Sequence, residues 1–215
     1  MNKIYISHLA DNRIKEYVTA LGYRVCEVTA LAQIDAPIAC HPDVYMCDLG
    51  GKVFHGDPTV LTHDYPGHAI YNGCCTGKYF IHNIKITDKD LLAAVKESGM
   101  QTVHVAQGYA KCSCVVVDED SSITADHGIA KVATSCGMQV LLVEKGQVHL
   151  DGYPYGFIGG ASGKVGNAIL FNGDLSKHSD FDAICRFIEE RGLAVKYFED
   201  YPLTDIGSII EEIEG

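Results

Sequence analysis

The residues best suited to chemistry begin with a histidine and an aspartate on either side of a proline, in the segment Cys40-His41-Pro42-Asp43. Proline disfavours the helical conformation for the residue before it, so we expect His41 in extended backbone at the entrance to a strand. An imidazole exchanges protons near neutral pH, and a carboxylate can hold a cation. The pair therefore predicts a site for acid/base chemistry, unless both residues only shape a turn.

Cysteines provide the second kind of candidate. Cys112 lies in Lys111-Cys-Ser-Cys114, the start of a predicted strand over 111–117. Side chains alternate along a strand, so the two cysteines would share one face, and Lys111 and Ser113 the other. If the cysteines face a cavity, Cys112 is the best candidate nucleophile. If they face the core, Lys111 and Ser113 line the site instead.

A glycine-rich segment, 157–164, is a candidate for ligand binding. Its sequence is Phe-Ile-Gly-Gly-Ala-Ser-Gly-Lys, and its glycines would let the backbone approach a ligand, or simply turn the chain. The segment is not a phosphate-binding P-loop, because Ile158 stands where the first glycine should be and Val165 follows the lysine. The candidate binding residues here are Gly159, Gly160, Ser162 and Lys164.

The segment 40–82 is rich in residue types that bind metals. No recognised zinc spacing is present, so we expect no metal and no cofactor, with metal-assisted hydrolysis as an alternative. The vicinal pair Cys74-Cys75, beside Asn72 in a predicted hairpin tip, is another source of a thiol. The metal-binding types in the segment are His41, His55, His63, His68, His82, Cys40, Cys47, Cys74 and Cys75.

Composition narrows the classes of partner. The 215 residues are 47% apolar, which is enough for an ordinary buried core. Acidic residues outnumber basic ones by 28 to 17, so the net charge of −11 disfavours nucleic acid as a partner. We recognise no signal peptide or membrane-spanning run and expect a cytoplasmic protein with reduced cysteines and a small-molecule substrate or ligand. The sequence leaves the oligomeric state open.

The elements that must position these residues form a repeating pattern. A predicted helix, a glycine and a predicted strand follow one another at Gly22, Gly99, Gly137 and Gly192. The most complete copy spans 108–144, where two strands precede the helix. About five units are indicated, near 1–28, 37–62, 67–106, 108–144 and 156–199, before a predicted C-terminal helix at 203–214.

A strand–hairpin–helix unit cannot bury its own apolar face, so the units must pack against one another around a common axis. We therefore expect a single α/β domain over 1–215, built of ββαβ repeats around a central cavity. The start of each hairpin would line that cavity. This arrangement would place His41 and Asp43 in the second unit, Cys112 in the fourth and the segment 157–164 in the fifth.

Such a pseudo-fivefold ring of ββαβ units resembles the pentein, or β/α-propeller, superfamily. Its members include guanidine-modifying enzymes, namely arginine and agmatine deiminases, dimethylargininases and amidinotransferases, and also non-enzymatic relatives. The pairing of Ala39-Cys-His-Pro-Asp-Val44 with Ser162-Gly-Lys164 resembles, more closely, an uncharacterised bacterial family of that fold. That closer resemblance implies no particular substrate.

In the guanidine-modifying enzymes a cysteine thiolate attacks the guanidinium carbon, a histidine moves protons and carboxylates hold the cation. The resemblance thus implies a hydrolase or transferase of amidine or guanidine compounds, with His41 as acid/base, Asp43 as substrate anchor and Cys112 as nucleophile. The candidate substrate-binding residues are Cys40, Asn72, Lys111, Ser113, Gly159, Gly160, Ser162 and Lys164.

One departure from those enzymes counts against this chemistry. They carry the nucleophilic cysteine at the start of the fifth unit, where this chain has glycines, Ser162 and Lys164. A non-catalytic member that binds a small molecule or a protein is therefore the main alternative to an enzyme.

Overall fold

The computed structural model describes residues 1–214, and in this range fourteen strands and five α-helices form a mixed α/β structure with five small sheets. The strands are β1 (Lys3–Ser7), β2 (Arg24–Val28), β3 (Met46–Asp48), β4 (Val53–His55), β5 (Cys74–Cys75), β6 (Tyr79–His82), β7 (Gln101–His104), β8 (Cys114–Asp118), β9 (Ser121–Thr124), β10 (Gln139–Leu142), β11 (Ser162–Val165), β12 (Ala168–Phe171), β13 (Ala194–Lys196) and β14 (Ile210–Glu212).

The helices are α1 (Asn12–Ala20), α2 (Lys89–Glu97), α3 (Ala110–Ser113), α4 (His127–Ser135) and α5 (Phe181–Glu189). Short 3-10 turns lie at Ala36–Ile38, Pro42–Val44, Pro58–Val60 and Leu175–Lys177. None of the helices within residues 1–214 is both long enough and apolar enough to cross a membrane.

Three of the sheets have the same construction. In each, an antiparallel hairpin is followed by a helix and then by a strand parallel to the second hairpin strand. A parallel neighbour requires a crossover connection, which the helix supplies. The predicted helix–glycine–strand junctions are present, and the glycine has a positive φ in all four: Gly22 (91°), Gly99 (76°), Gly137 (95°) and Gly192 (73°).

The first sheet is completed by the C-terminal segment, where the predicted helix at 203–214 is wrong. Strand β14 pairs antiparallel with β1, which in turn pairs parallel with β2. Gly207 has a φ of 73°, which interrupts a helix, and Lys3 Nζ lies 3.0 Å from Glu212 Oε2 across the strand pair. The helical spacing of the isoleucines in this segment was misleading because pairing with β1 determines the conformation.

The predicted strand over 111–117 is also partly wrong. Residues 110–113 form the helical turn α3, in which Ser113 N donates to Tyr109 O, and the strand begins only at Cys114. Cys112 and Cys114 therefore do not share a strand face. Cys74 and Cys75, predicted in a hairpin tip, instead form the first strand of the hairpin and pair with β6.

Five strands, one from each sheet, contact one another in a cyclic order: the first strand of each of the four hairpins, and β14 from the sheet that contains β1. Strand β14 contacts β3, β3 contacts β5, β5 contacts β8, β8 contacts β11, and β11 contacts β14. Apolar clusters fill the space between neighbouring sheets and their helices; one of them contains Ile123, Phe171, Ile184 and Ile188, all fully buried. The residues at the ends of these five strands are therefore brought close to one another.

The corrected C-terminal segment gives a stability prediction. Ile210 is 1% exposed and packs with Val28, Met46 and Val53, whereas Ile213 is 55% exposed. We expect Ile210→Ala to lower the free energy of unfolding by about 2–5 kcal/mol, because it leaves a cavity. Ile213→Ala should change it by less than about 0.5 kcal/mol. Urea denaturation measures both, and equal effects of the two variants would contradict the pairing of β14 described here.

Candidate functional site

A cavity of about 280 Å³ brings together the three residues predicted to be catalytic. His41, Asp43 and Cys112 line it, together with Asn72 and Asp205. The rest of its wall is aromatic or aliphatic and includes Tyr109, Tyr153, Tyr155 and Phe157. A small cavity with a few polar side chains in an apolar wall has the usual form of a ligand-binding site.

His41 and Asp43 reach the cavity because of the proline between them. His41 has extended backbone (φ −76°, ψ 122°), as expected before proline, and Pro42 opens a 3-10 turn that ends two residues before β3. The backbone N–H of Asp43 donates to Gly207 O at 3.2 Å. The position predicted for this pair, at the entrance to a strand, is confirmed.

Asn72 connects Cys112 to Asp43. Its Nδ2 donates to Asp43 O (3.1 Å) and to Cys112 Sγ (3.2 Å), while its Oδ1 accepts the N–H groups of Lys111 (3.0 Å) and Cys112 (3.2 Å). The Cys112 thiol donates to Asp43 Oδ2 at 2.9 Å. The amide therefore fixes the turn α3 so that the thiol points at the carboxylate.

Burial determines the charge states of these groups in the empty cavity. It lowers the pKa of His41, an effect that the charge of Asp43 opposes, and it raises the pKa of Asp43 itself. It also raises the pKa of the Cys112 thiol well above its usual value, and the nearby charge of Asp43 adds to this. The imidazole is therefore neutral at pH 7 and the thiol is protonated.

Asp205 is a second buried acid in the cavity wall. Burial raises its pKa to about 6, although Oδ2 accepts Phe157 N (2.9 Å) and Oδ1 accepts Gly207 N (3.0 Å). His41 Nδ1 lies 3.9 Å from Asp205 Oδ1, which is too long for a hydrogen bond. The imidazole is thus left available to another group.

The two acids that line the cavity form no ion pair with lysine or arginine among residues 1–214. Neither lysine nor arginine is among its lining residues, and Asp43 Oδ1 is buried with no hydrogen-bond partner within residues 1–214. A buried polar atom without a partner is rare and costly in a folded protein. The arrangement is therefore suited to a cation that would hydrogen-bond Asp43 and offset the charges of both acids.

The C-terminal segment 205–208 was not predicted to belong to the site. Besides Asp205 it supplies Gly207, whose missing Cβ would lie 2.1 Å from His41 Cβ, and Ser208, whose Oγ donates to Asp43 Oδ2 at 2.7 Å. The only sequence signal was the Asp-x-Gly-Ser pattern typical of a turn. Nothing in that pattern indicates contact with residues more than 160 positions earlier.

Several predicted substrate-binding residues lie outside this cavity. Ser162, Lys164 and Lys111 line a separate cavity of about 520 Å³, and Ser113 lines a third of about 400 Å³. Ser162 Oγ donates to Gly159 O, and Lys164 Nζ donates to Val117 O. Of the predicted binding residues, Asn72 alone is among the residues that line the cavity with Cys112.

The remaining predicted residues have structural contacts. Cys40 is buried and accepts a hydrogen bond from Ser7 Oγ. Gly159 packs against the carbonyl groups of α3, and a Cβ on Gly160 would lie 2.0 Å from Asp205 Oδ1. Only glycine fits at these two positions, because a side chain at either one would displace the neighbouring groups of the cavity wall.

The geometry gives no support to a metal site in the segment 40–82. Within residues 1–214 no three histidine, cysteine, aspartate or glutamate side chains converge so as to hold a metal ion. Cys75 Sγ lies 3.7 Å from Cys47 Sγ, and both are buried among apolar residues. His63 is exposed, whereas His82 is buried and bonded to Thr87. These residues are too dispersed to act as one centre.

Comparison with known proteins yields one family. A model described as "Family of unknown function (DUF6873)" matches residues 51–210. The match includes Asn72, Cys112 and Asp205, and it begins after His41 and Asp43. No curated protein matches the chain.

The contact between Gly207 and His41 can be tested by alanine substitution. Gly207 and Gly192 have the same φ of 73°, but Gly192 has no atom within 4 Å of the Cβ position. We expect Gly192→Ala to lower the free energy of unfolding by about 1–2 kcal/mol, the cost of the left-handed conformation. Gly207→Ala should cost about 1–3 kcal/mol more, because of overpacking against His41. Denaturant titrations that gave equal losses would contradict the contact.

Proposed function

The chain belongs to DUF6873, the family whose model matches residues 51–210, and we propose that this member is a cysteine hydrolase or transferase acting on a cationic amidine or guanidine compound. The observation that carries the proposal is the pairing of a cysteine with two buried acids in a cavity that neither lysine nor arginine lines. His41 serves as the acid/base, Asp43 and Asp205 hold the cation, and Cys112 is the nucleophile.

We further propose that the five sheets are five units of a single pentein-like, pseudo-fivefold β/α-propeller. Two features support this arrangement. Three sheets repeat the ββαβ construction, and one strand from each of the five sheets takes part in a cyclic order of contacts. In such a ring the cavity between His41 and Cys112 lies at one end of the central axis.

The cavity wall also favours a cationic ligand. Tyr109 and Phe157 stand with their ring centroids 6.3 Å apart beside the polar residues, and aromatic rings attract cations through their negative faces. A planar guanidinium or amidinium group can donate several hydrogen bonds in its plane, which suits the unpartnered Asp43 Oδ1. An anionic ligand would meet two acids and no counter-charge.

In the proposed reaction the bound cation activates the thiol of Cys112 as the nucleophile. A cation beside Asp43 lowers the pKa of Cys112, and neutral His41 accepts the thiol proton. The thiolate forms a bond to the amidino carbon, and the leaving amine departs with a proton from His41. Water then attacks the S-amidino intermediate and gives one proton to His41, which passes it to the departing thiolate. The second proton leaves the oxygen to solvent as the C=O bond forms, so that one C–N bond is replaced by a C–O bond. In a transferase an amine replaces the water.

A non-catalytic binding protein is the alternative that one observation favours. Burial raises the pKa of Cys112 and keeps the thiol protonated, and a protonated thiol is a poor nucleophile. A ligand whose cation lies too far from the thiol to lower this pKa would bind without reacting. Labelling of the cysteine separates the two functions.

The proposed chemistry predicts selective labelling of Cys112. Chloroacetamidine carries the cationic head, and neutral chloroacetamide is nearly the same size. We expect chloroacetamidine to alkylate buried Cys112 at least about tenfold faster than the half-buried Cys26, Cys136 and Cys185, because binding in the cavity supplies proximity. Chloroacetamide should label the half-buried cysteines first. Peptide mass spectrometry over time measures each rate.

Two controls define what would contradict the proposal. Cys112→Ser should remove the fast phase, and Asp43→Asn should slow it without affecting the other cysteines. Slow and uniform alkylation of all accessible thiols by both reagents would exclude the enzyme function. If the unmodified protein and Cys112→Ser both bind a cation and neither is labelled fast, the result would favour the non-catalytic protein.

The proposed role of Asp205 predicts a pH dependence. Its pKa is raised to about 6, so the carboxylate is charged above that pH and neutral below it. We expect the affinity for an aromatic amidine such as benzamidine to fall as the pH decreases from 7 to 5, because the cation loses a counter-charge. Calorimetric titrations measure this. In Asp205→Asn the affinity should be lower at pH 7 and should fall less on acidification; an unchanged profile would contradict the role.

A further inference from the structure

Lys111 approaches Asp43 from the side away from the cavity. It is 8% exposed, and its Nζ donates to Ser208 Oγ at 3.2 Å. The same oxygen of Ser208 lies 2.7 Å from Asp43 Oδ2 and 3.2 Å from Gly159 O. A lysine, a serine and an aspartate thus form a buried hydrogen-bonded chain that leads from the separate cavity of about 520 Å³ to the candidate site.

The direction of each hydrogen bond follows from the chemistry of the groups. An ammonium group can only donate, so Ser208 Oγ accepts from Lys111. The single hydroxyl proton of Ser208 is then directed to Asp43 Oδ2, which is nearer than Gly159 O. This leaves Asp43 Oδ2 as the acceptor at the end of the chain.

A second chain of donors reaches the same oxygen from the other side. Asn72 Nδ2 donates to Cys112 Sγ, and the thiol donates to Asp43 Oδ2. Both chains therefore end on Oδ2 and leave Oδ1 without a partner within residues 1–214. The carboxylate is held in one orientation by one of its oxygens, and the other oxygen remains for a ligand.

The backbone of Ser208 has an unusual conformation at the position from which its hydroxyl contacts Asp43. Its φ is 74°, and it is the only residue other than glycine with a positive φ in the described range 1–214. Such a conformation costs free energy for a residue with a side chain and persists only where the surroundings impose it. Here the N–H of Ser208 donates to Gly160 O at 2.8 Å, and the residue is fully buried.

We propose that Lys111 is a positioning residue that acts on Asp43 through Ser208. The ammonium fixes the hydroxyl of Ser208 as a donor to Asp43 Oδ2, which favours the ionised carboxylate and its orientation. Without Lys111 the hydroxyl is free to donate to Gly159 O instead. The significance of the inference for catalysis rests on the proposed function, since that function requires Asp43 to hold a cation.

Other ionisable groups also act on Asp43 and must be included. Burial and the charge of Asp205 raise the pKa of Asp43, while His41 and the hydrogen bonds from Cys112 and Ser208 lower it. Burial, with a contribution from the charge of Asp43, raises the pKa of Tyr109, and burial raises the pKa of Asp48, an effect that the charge of Lys111 opposes. The charge of Lys111 also opposes the burial that raises the pKa of Asp205, whereas Lys111 contacts Asp43 only through the hydroxyl of Ser208.

The ionisation of Asp43 in the unliganded protein tests the inference. The ¹³C chemical shift of its carboxyl carbon, assigned with Asp43→Asn, is followed from pH 3 to 8 by NMR. We expect the titration midpoint to rise by at least about one pH unit in Lys111→Met and in Ser208→Ala, because each removes the directed donor. Lys111→Arg, which keeps the charge and can only donate, should restore part of the shift.

Lys78→Met is the matched control for loss of one positive charge. Lys78 forms an exposed ion pair with Asp120, so its removal should leave the midpoint of Asp43 unchanged. Circular dichroism and thermal unfolding show whether each variant is folded. If Lys111→Met does not fold, Ser208→Ala and Ser208→Gly decide, and the glycine variant keeps the positive φ without the hydroxyl.

The two proposals fail in different ways. An unmoved midpoint in folded Lys111→Met and Ser208→Ala would overturn the positioning role, whatever the labelling of Cys112 shows. An absence of selective labelling in the unmodified protein would overturn the proposed function, while a raised midpoint in the variants would still establish the action of Lys111 on Asp43.

Discussion

The carboxylate of Asp43 is the group on which the candidate site depends. It is completely buried, and a charge in such a place is stable only if donors surround it. The thiol of Cys112 and the hydroxyl of Ser208 both donate to one of its oxygens, and its backbone N–H is bonded to Gly207. The positions of the thiol and the hydroxyl are explained by the hydrogen bonds that they donate to Oδ2 of this side chain.

Local features of the sequence were sufficient to predict part of this arrangement. The extended backbone of His41 follows from the next residue alone, and the glycines after the helices follow from the left-handed backbone that ends a helix. The mixed α/β class follows from the alternation of strand and helix patterns. Each of these inferences needs only neighbouring residues, which is why a single sequence supports them.

Contacts between distant segments were beyond the same reasoning. Residues 110–113 form a helical turn in which the N–H groups of Lys111 and Cys112 donate to Asn72, 38 residues before Ala110. No local sequence pattern predicts this contact. The apolar spacing near Ile210 fits a helix equally well, and only the presence of β1 as a partner makes it a strand. Asp205 and Ser208 gave no signal, since acids and serines are common in turns at the surface.

The pairing of β14 with β1 has a consequence for how the protein matures during its synthesis. The first sheet and the site both need residues 205–210, whereas His41, Asn72 and Cys112 leave the ribosome much earlier. Until the later segment arrives, Asp43 lacks the donor of Ser208, and the apolar face of β1 lacks its neighbour. In a nascent chain the cavity around Asp43 and Cys112 therefore cannot take its final form before residues 205–210 have been synthesised.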